Sequence, residues 1–127
     1  MKAAFVSLDE VLALHADQIS RYGGEAGLRD LALLKSALAM PQARFGGQWL
    51  HPTLHEMAAA YLFHIIRNHP FIDGNKRAGL VCAIAFLGLN DLELIADPDD
   101  LVQLVLGVAE GRTDKSQVAV FLKANTR

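Results

Sequence analysis

His69-Pro70-Phe71-Ile72-Asp73-Gly74-Asn75-Lys76-Arg77 separates two apolar, helix-patterned runs, Leu54 to Ile66 and Ala78 to Leu87. Pro70 and Gly74 punctuate it as a loop. Gly74 to Arg77 then lead straight into the second helix. A glycine turn opening a helix gathers free backbone N–H groups at the positive end of the helix dipole, an arrangement that binds anions and phosphate above all. Lys76 and Arg77 add two positive side chains at the same spot. His69 is a residue type suited to general acid–base work, and Asp73 one suited to a hard metal ion. One short stretch therefore offers a base, a metal carboxylate and a phosphate cradle. An ordinary helix–loop–helix turn needs only a cap and tolerates two solvated cations.

Upstream, Ser7-Leu8-Asp9-Glu10 is a capping box, serine followed three residues later by glutamate. It opens a helix with Leu8, Val11, Leu12 and Ile19 on one face, which Gly23-Gly24 end. His15 lies within it, either satisfied by a neighbour or facing a partner. Asp30 is placed to cap Leu31 to Met40, a short helix with leucines at 31, 34 and 38 that Pro41 closes. Gln42 to Leu50 has aromatics, no helical period and a central Gly46-Gly47 pair, the composition of a tight hairpin. Phe45 and Trp49 are then either partner contacts or folded back on the core. Pro52 marks the first turn of a long helix, Thr53 to Asn68, apolar almost all round and so central and buried. His51, His55 and Glu56 do not form H-E-x-x-H, which argues against a zinc pair.

After the loop, Gly79, Cys82, Ala83 and Ala85 give the next buried helix small residues suited to close helix approach. Leu92 to Ile95 reads as a short extended segment. Asp97-Pro98 opens a helix running to Glu110, with Leu101, Val102, Val105 and Leu106 inward. Thr113 or Asp114 caps a last helix, and Lys123 to Arg127 is expected to fray. The sum is one all-α domain over residues 1–127, about six helices with a small hairpin. Hydrophobic residues make up 52% of the chain, enough for a real core and too many for disorder. Twelve Lys and Arg against fourteen Asp and Glu give a net charge of −2, with no basic run to serve as a nucleic-acid footprint. Cys82 is single and lies in an apolar run, a buried thiol rather than a reactive one. Arg77 and Asn90 interrupt the longest apolar stretch short of a membrane span. Asp9 and Glu10 near the start do not suit a signal peptide, so a cytoplasmic protein is expected.

The loop resembles the signature of the Fic/Doc family, usually H-x-F-x-[DE]-G-N-G-R-x-x-R. His69, Phe71, Asp73, Gly74, Asn75 and Arg77 match it, while Lys76 replaces a glycine and Leu80 the final arginine. Lysine within N-K-R is the mark of the Doc branch, the toxins of Phd–Doc toxin–antitoxin pairs. Ala13-Leu14-His15 and Ile19 to Gly24 are similar to that branch's first-helix ending. The resemblance implies the Fic fold, two central antiparallel helices joined by the motif loop. It also implies a small flap, here Phe45, Gly46, Gly47, Gln48 and Trp49, holding a target protein beside the active site. It implies His69 as the base, Asp73 as the Mg²⁺ ligand, Phe71 as an apolar anchor, and Gly74, Asn75, Lys76 and Arg77 on the phosphates of ATP. The implied reaction is a protein serine/threonine kinase reaction, transfer of the γ-phosphate to a threonine of translation elongation factor Tu, which arrests translation. The implied partner is a Phd-type antitoxin whose C-terminal segment lies along an apolar groove. AMP transfer to a protein hydroxyl is the alternative within enzymes. A catalytically silent binding module is the alternative outside them. Lys76 fills the space that AMP transfer needs, and intact His69, Asp73, Asn75 and Arg77 argue against silence.

Overall fold

In the computed structural model, which describes residues 2–127, capping side chains set the starts of five of the six helices. Ser7 and Glu10 close a reciprocal capping box on α1 (Leu8–Tyr22), which ends at Gly23 with φ 84°. Asp30 caps α2 (Leu31–Ala39). Thr53 opens α3 (Leu54–Asn68), its hydroxyl accepting from the Glu56 N–H. Pro52 therefore lies just outside α3 and not in its first turn, because the threonine supplies a cap that proline cannot. Asp97 caps α5 (Pro98–Ala109), with Pro98 in the first turn. Asp114 and Gln117 form a second capping box on α6 (Lys115–Ala124). Only α4 (Asn75–Leu89) starts without a capping side chain. Arg44–Phe45 (β1) and Gln48–Trp49 (β2) pair antiparallel. Their turn puts Gly46 and Gly47 at φ 59° and 79°, the positive values that a two-residue hairpin turn demands. The all-α expectation holds.

The long apolar helix is central as its pattern predicts. Met57 to Leu62, Ile65 and Ile66 are all buried, and α2, α4, α5 and α6 pack around them. α3 and α4 run antiparallel and very close. A β-carbon at Gly79 would stand 2.9 Å from Ile66 Cγ1 and 3.0 Å from the Leu62 carbonyl oxygen. The segment before α1 is tied to the same helix, since the Tyr61 hydroxyl bonds both the N–H and the carbonyl of Val6.

Two expectations fail. The face of α5 that enters the core is Leu104, Val105 and Val108, whereas Val102 is half exposed and Leu101 lies at the rim. Gly107 explains the rotation. It presses against Thr113 so closely that a β-carbon has no room, which fixes the side of α5 turned toward the connection to α6. The C-terminus does not fray. Glu93 and Arg127 exchange two backbone hydrogen bonds, Ile95 N–H donates to the Asn125 carbonyl, and the Thr126 hydroxyl lies 2.7 Å from His55 Nε2. The short extended segment after α4 supplies that partner strand.

Two outcomes follow from this packing. Gly79→Ala gains about 1 kcal/mol of helix propensity but meets a backbone oxygen that cannot move aside, so overpacking of roughly 1–3 kcal/mol wins. The melting temperature should fall by a few degrees, and a rise would sink the close-approach account. Burial pushes the Tyr61 phenol from 10.0 up to about 12. The folded chain then keeps a proton that the unfolded chain releases, so this contribution is intact below pH 10 and is lost as pH rises toward 12. Burial raises the Cys82 thiol from 9.0 to about 12 and acts in the same direction. In urea melts across this range, Tyr61→Phe should flatten the alkaline loss of stability; an unchanged slope would remove Tyr61 from the explanation.

Candidate active site

The motif loop is held by hydrogen bonds to its backbone from several directions. α3 ends at His69, which adopts a left-handed conformation with φ 51°. For a residue with a side chain this costs roughly 1–2 kcal/mol and needs support from its surroundings. Arg29 provides it, donating from Nε to the His69 carbonyl (2.7 Å) and from Nη2 to the Asn68 carbonyl (3.0 Å). The Pro70 carbonyl accepts from the N–H groups of Arg29 and Asp30, and Ile72 N–H donates to the Gly27 carbonyl. Leu28 and Phe71 form an isolated antiparallel bridge. Asn75 is 5% exposed, and its amide closes both sides of Phe71: Oδ1 accepts from the Phe71 N–H and Nδ2 donates to the Phe71 carbonyl. Phe71 is buried, as its anchoring role requires. The His15 ring stacks on Phe71 with centroids 3.7 Å apart and planes 8° apart. His15 Nε2 lies 2.7 Å from the Asp73 carbonyl. A carbonyl only accepts, so His15 carries its proton on Nε2.

This pinning presents a small, charged concavity. A cavity of about 130 Å³ is lined by His69, Asp73, Gly74, Asn75 and Lys76 together with Ile66, Ile72 and Ala109. Gly74 precedes α4 with φ 77°, and the helix behind it has no capping side chain. By helical geometry the N–H groups of Asn75, Lys76 and Arg77 therefore have no intrahelical partner. Donors grouped in this way at a helix start can receive an anion. Their neighbours His69, Asp73 and Lys76 are exposed. The Asp73 carboxylate accepts from the N–H groups of Glu25 (3.0 Å) and Gly74 (2.8 Å). These two bonds, with Arg77 and Lys76 contributing less, hold its pKa below the usual carboxylate value, so it stays ionised. Each oxygen accepts one N–H and keeps a further lone pair. An ionised, exposed oxygen donor beside a phosphate cradle suits Mg²⁺, which takes one or two carboxylates and completes its shell with phosphate oxygens and water.

Not every predicted residue points where the sequence suggests. Asn75 offers its backbone N–H to the cradle, but its side chain is consumed in the loop. The Arg77 guanidinium turns away and donates to the carbonyls of Gln18 and Gly23 at the end of α1. The hairpin carrying Phe45, Gly46, Gly47, Gln48 and Trp49 forms as predicted. Trp49 packs on Phe5, and Phe5 on Phe86. Phe45 is 83% exposed, while Trp49 folds back under Arg44, whose guanidinium carbon lies 3.9 Å from the ring centroid. The sequence gives no warning of Arg29, forty residues from the carbonyl it holds, or of the Glu25 N–H. Gly24 was the available clue: a β-carbon there would meet Asp73 Oδ2 at 2.7 Å and Arg77 Nη2 at 2.9 Å.

The comparisons with known proteins agree with this geometry. A family model described as Fic/DOC family matches residues 5–87, from the N-terminal segment through most of α4. The chain is 36% identical over 118 residues to "Protein kinase doc" of Escherichia phage P1, covering 93% of this chain and 92% of that protein. It is 44% identical over 92 residues to "Toxin Doc" of Mycolicibacterium smegmatis, covering 72% of this chain and 70% of that one. Matched over most of its length, with the motif loop set between its two central helices, the chain belongs to the Fic/DOC family, in its Doc branch.

Proposed function

We propose that this protein is the toxin of a toxin–antitoxin pair and a protein kinase of the Fic/Doc type, transferring the γ-phosphate of ATP to a hydroxyl of a protein target. The observation that carries the reading is the bare start of α4. Among the described residues, five helices spend a side chain on their first N–H groups, and the one that does not opens beside His69, Asp73 and Lys76. The relatives' names, a protein kinase and a toxin, support the same assignment.

In this reading His69 accepts the proton of the target hydroxyl as its oxygen bonds to the γ-phosphorus. The bond from that phosphorus to the β–γ bridging oxygen breaks, and ADP leaves with the electron pair. The N–H groups of Asn75, Lys76 and Arg77 and the Lys76 ammonium stabilise charge on the transferred group. Asp73 would hold Mg²⁺, which supplies charge neutralisation on the phosphate oxygens. The cavity is small, about 130 Å³, and fits phosphates rather than a whole nucleotide. Arg29, Asn75 and His15 position the loop. The target suggested by the family resemblance is a threonine of elongation factor Tu, and the partner is a Phd-type antitoxin. An apolar groove between α4 and α5, lined by Leu80, Leu101, Val102, Val105 and Leu106, shares Lys76 with the site and suits an apolar segment that covers it. Leu80 carries no charge, so control by an ion pair at that position is excluded.

Label transfer tests the assignment. With γ-labelled ATP and bacterial lysate, the protein should label a target, and with α-labelled ATP it should not. His69→Ala should abolish labelling with the fold intact, and Lys76→Ala should reduce it strongly. Transfer of α-label without γ-label would replace the kinase reading by AMP transfer, and no label from either would leave a binding module. His15→Ala removes the stacking partner of Phe71 and the bond to Asp73. A misplacement of about 1 Å costs on the order of 10²-fold in rate, so turnover should drop by that order with a native circular dichroism spectrum. Wild-type turnover in His15→Ala would show that the loop holds itself.

A further inference from the structure

The Asp73 carboxylate is not placed by the motif loop alone. The Gly74 N–H holds Oδ1 from within the loop, but the donor on Oδ2 is the Glu25 N–H, in the connection between α1 and α2. That connection is exposed over residues 23–27. Among the described residues, Gly24, Glu25 and Ala26 make no backbone–backbone hydrogen bond. Nothing in the turn itself therefore fixes the Glu25 N–H. Arg77 does so from α4. Its Nη1 donates to the Gly23 carbonyl at 2.9 Å and to the Gln18 carbonyl at 3.3 Å, which ties down the residue just before Gly24. Gly24 packs against both side chains. Its φ is 119°, and a β-carbon there would stand 2.7 Å from Asp73 Oδ2 and 2.9 Å from Arg77 Nη2. A carboxylate and a guanidinium on the same glycine are natural partners, yet among the described residues no ion pair joins Asp73 to Arg77. The guanidinium spends its donors on carbonyls instead, and the carboxylate keeps its remaining lone pairs.

We propose that residues 23–25 form a wall of the metal site, and that Arg77 and Gly24 are positioning residues for the Asp73 carboxylate; this rests on the reading of Asp73 as the Mg²⁺ ligand. Arg77 fixes the turn, and the turn presents the Glu25 N–H to Oδ2. The missing β-carbon at Gly24 leaves the carboxylate its place. Groups of this kind orient a ligand oxygen without touching the metal. The Arg77 side chain is then not a phosphate ligand, because turning it toward a phosphate strips both carbonyls of their donor.

The test is the binding of a non-hydrolysable ATP analogue to the full chain, measured by calorimetry without metal and at increasing Mg²⁺. The unsubstituted protein should bind more tightly as Mg²⁺ rises. Arg77→Ala and Gly24→Ala should each raise the Mg²⁺ concentration that gives half of that gain by roughly 10–100-fold, the usual effect of losing a group that orients a metal ligand. Metal-free affinity should stay near the original value, since the first N–H groups of α4 remain. In NMR spectra taken before any ligand is added, Arg77→Ala should strip the Glu25 amide of its protection from hydrogen exchange. A drop in metal-free affinity with an unchanged Mg²⁺ dependence would put the guanidinium on phosphate and overturn the proposal. An unaltered Mg²⁺ dependence in both variants would also overturn it, while leaving Asp73 as the metal ligand. No Mg²⁺ effect on the unsubstituted protein would remove the metal reading itself, and the proposal with it.

Discussion

The Asn75 amide, bonded to both the N–H and the carbonyl of Phe71, is the constraint on which the site depends. The two bonds lie in the core, where an unpaired backbone group costs about 1–3 kcal/mol. They convert six residues between α3 and α4 into a rigid turn. That turn needs left-handed backbone at both ends, at His69 and at Gly74. Glycine adopts it freely and histidine does not, so the strain falls on the residue proposed to do the chemistry. Arg29 holds the His69 carbonyl and Asn75 holds Phe71 two residues on, so the backbone that carries the His69 ring is fixed on both sides.

The same loop shows how charge is divided in this fold. Arg29 sits on the last carbonyls of α3, and Arg77 on those of α1. Cations at helix C-termini are favourable placements, and both guanidinium groups are consumed by structure. Lys76 is left as the cation that lines the cradle. This division explains why one of two adjacent basic residues lines the proposed anion site.

Much of this was legible in the chain. Capping boxes at Ser7 and Asp114, the Asp30 cap and the Gly46-Gly47 turn are local chemistry, decided within four residues, and local patterns report local structure. The buried character of α3 followed from apolar residues on every side. The cradle was legible because a helix start after glycine is also a local feature. What failed was long-range. Which stripe of α5 faces inward depends on Gly107 meeting Thr113, and nothing in the apolar period of α5 chooses between two overlapping stripes. The ordered C-terminus depends on a pairing with Glu93 and Ile95, thirty or more residues away. His15, Gly24 and Arg29 belong to the site through the third dimension only.

The uncapped start of α4 has a consequence for the lifetime of the protein. A helix whose first N–H groups lack acceptors is an incomplete structural element, and in the proposed reading the anion that completes it is the phosphate of the nucleotide. Any ligand that binds only the folded chain stabilises it by RT ln(1 + [L]/Kd), about 2.7 kcal/mol at a hundred times Kd. In the proposed reading the fold and its nucleotide are therefore thermodynamically one system, and a bound nucleotide would shield the motif loop from local opening.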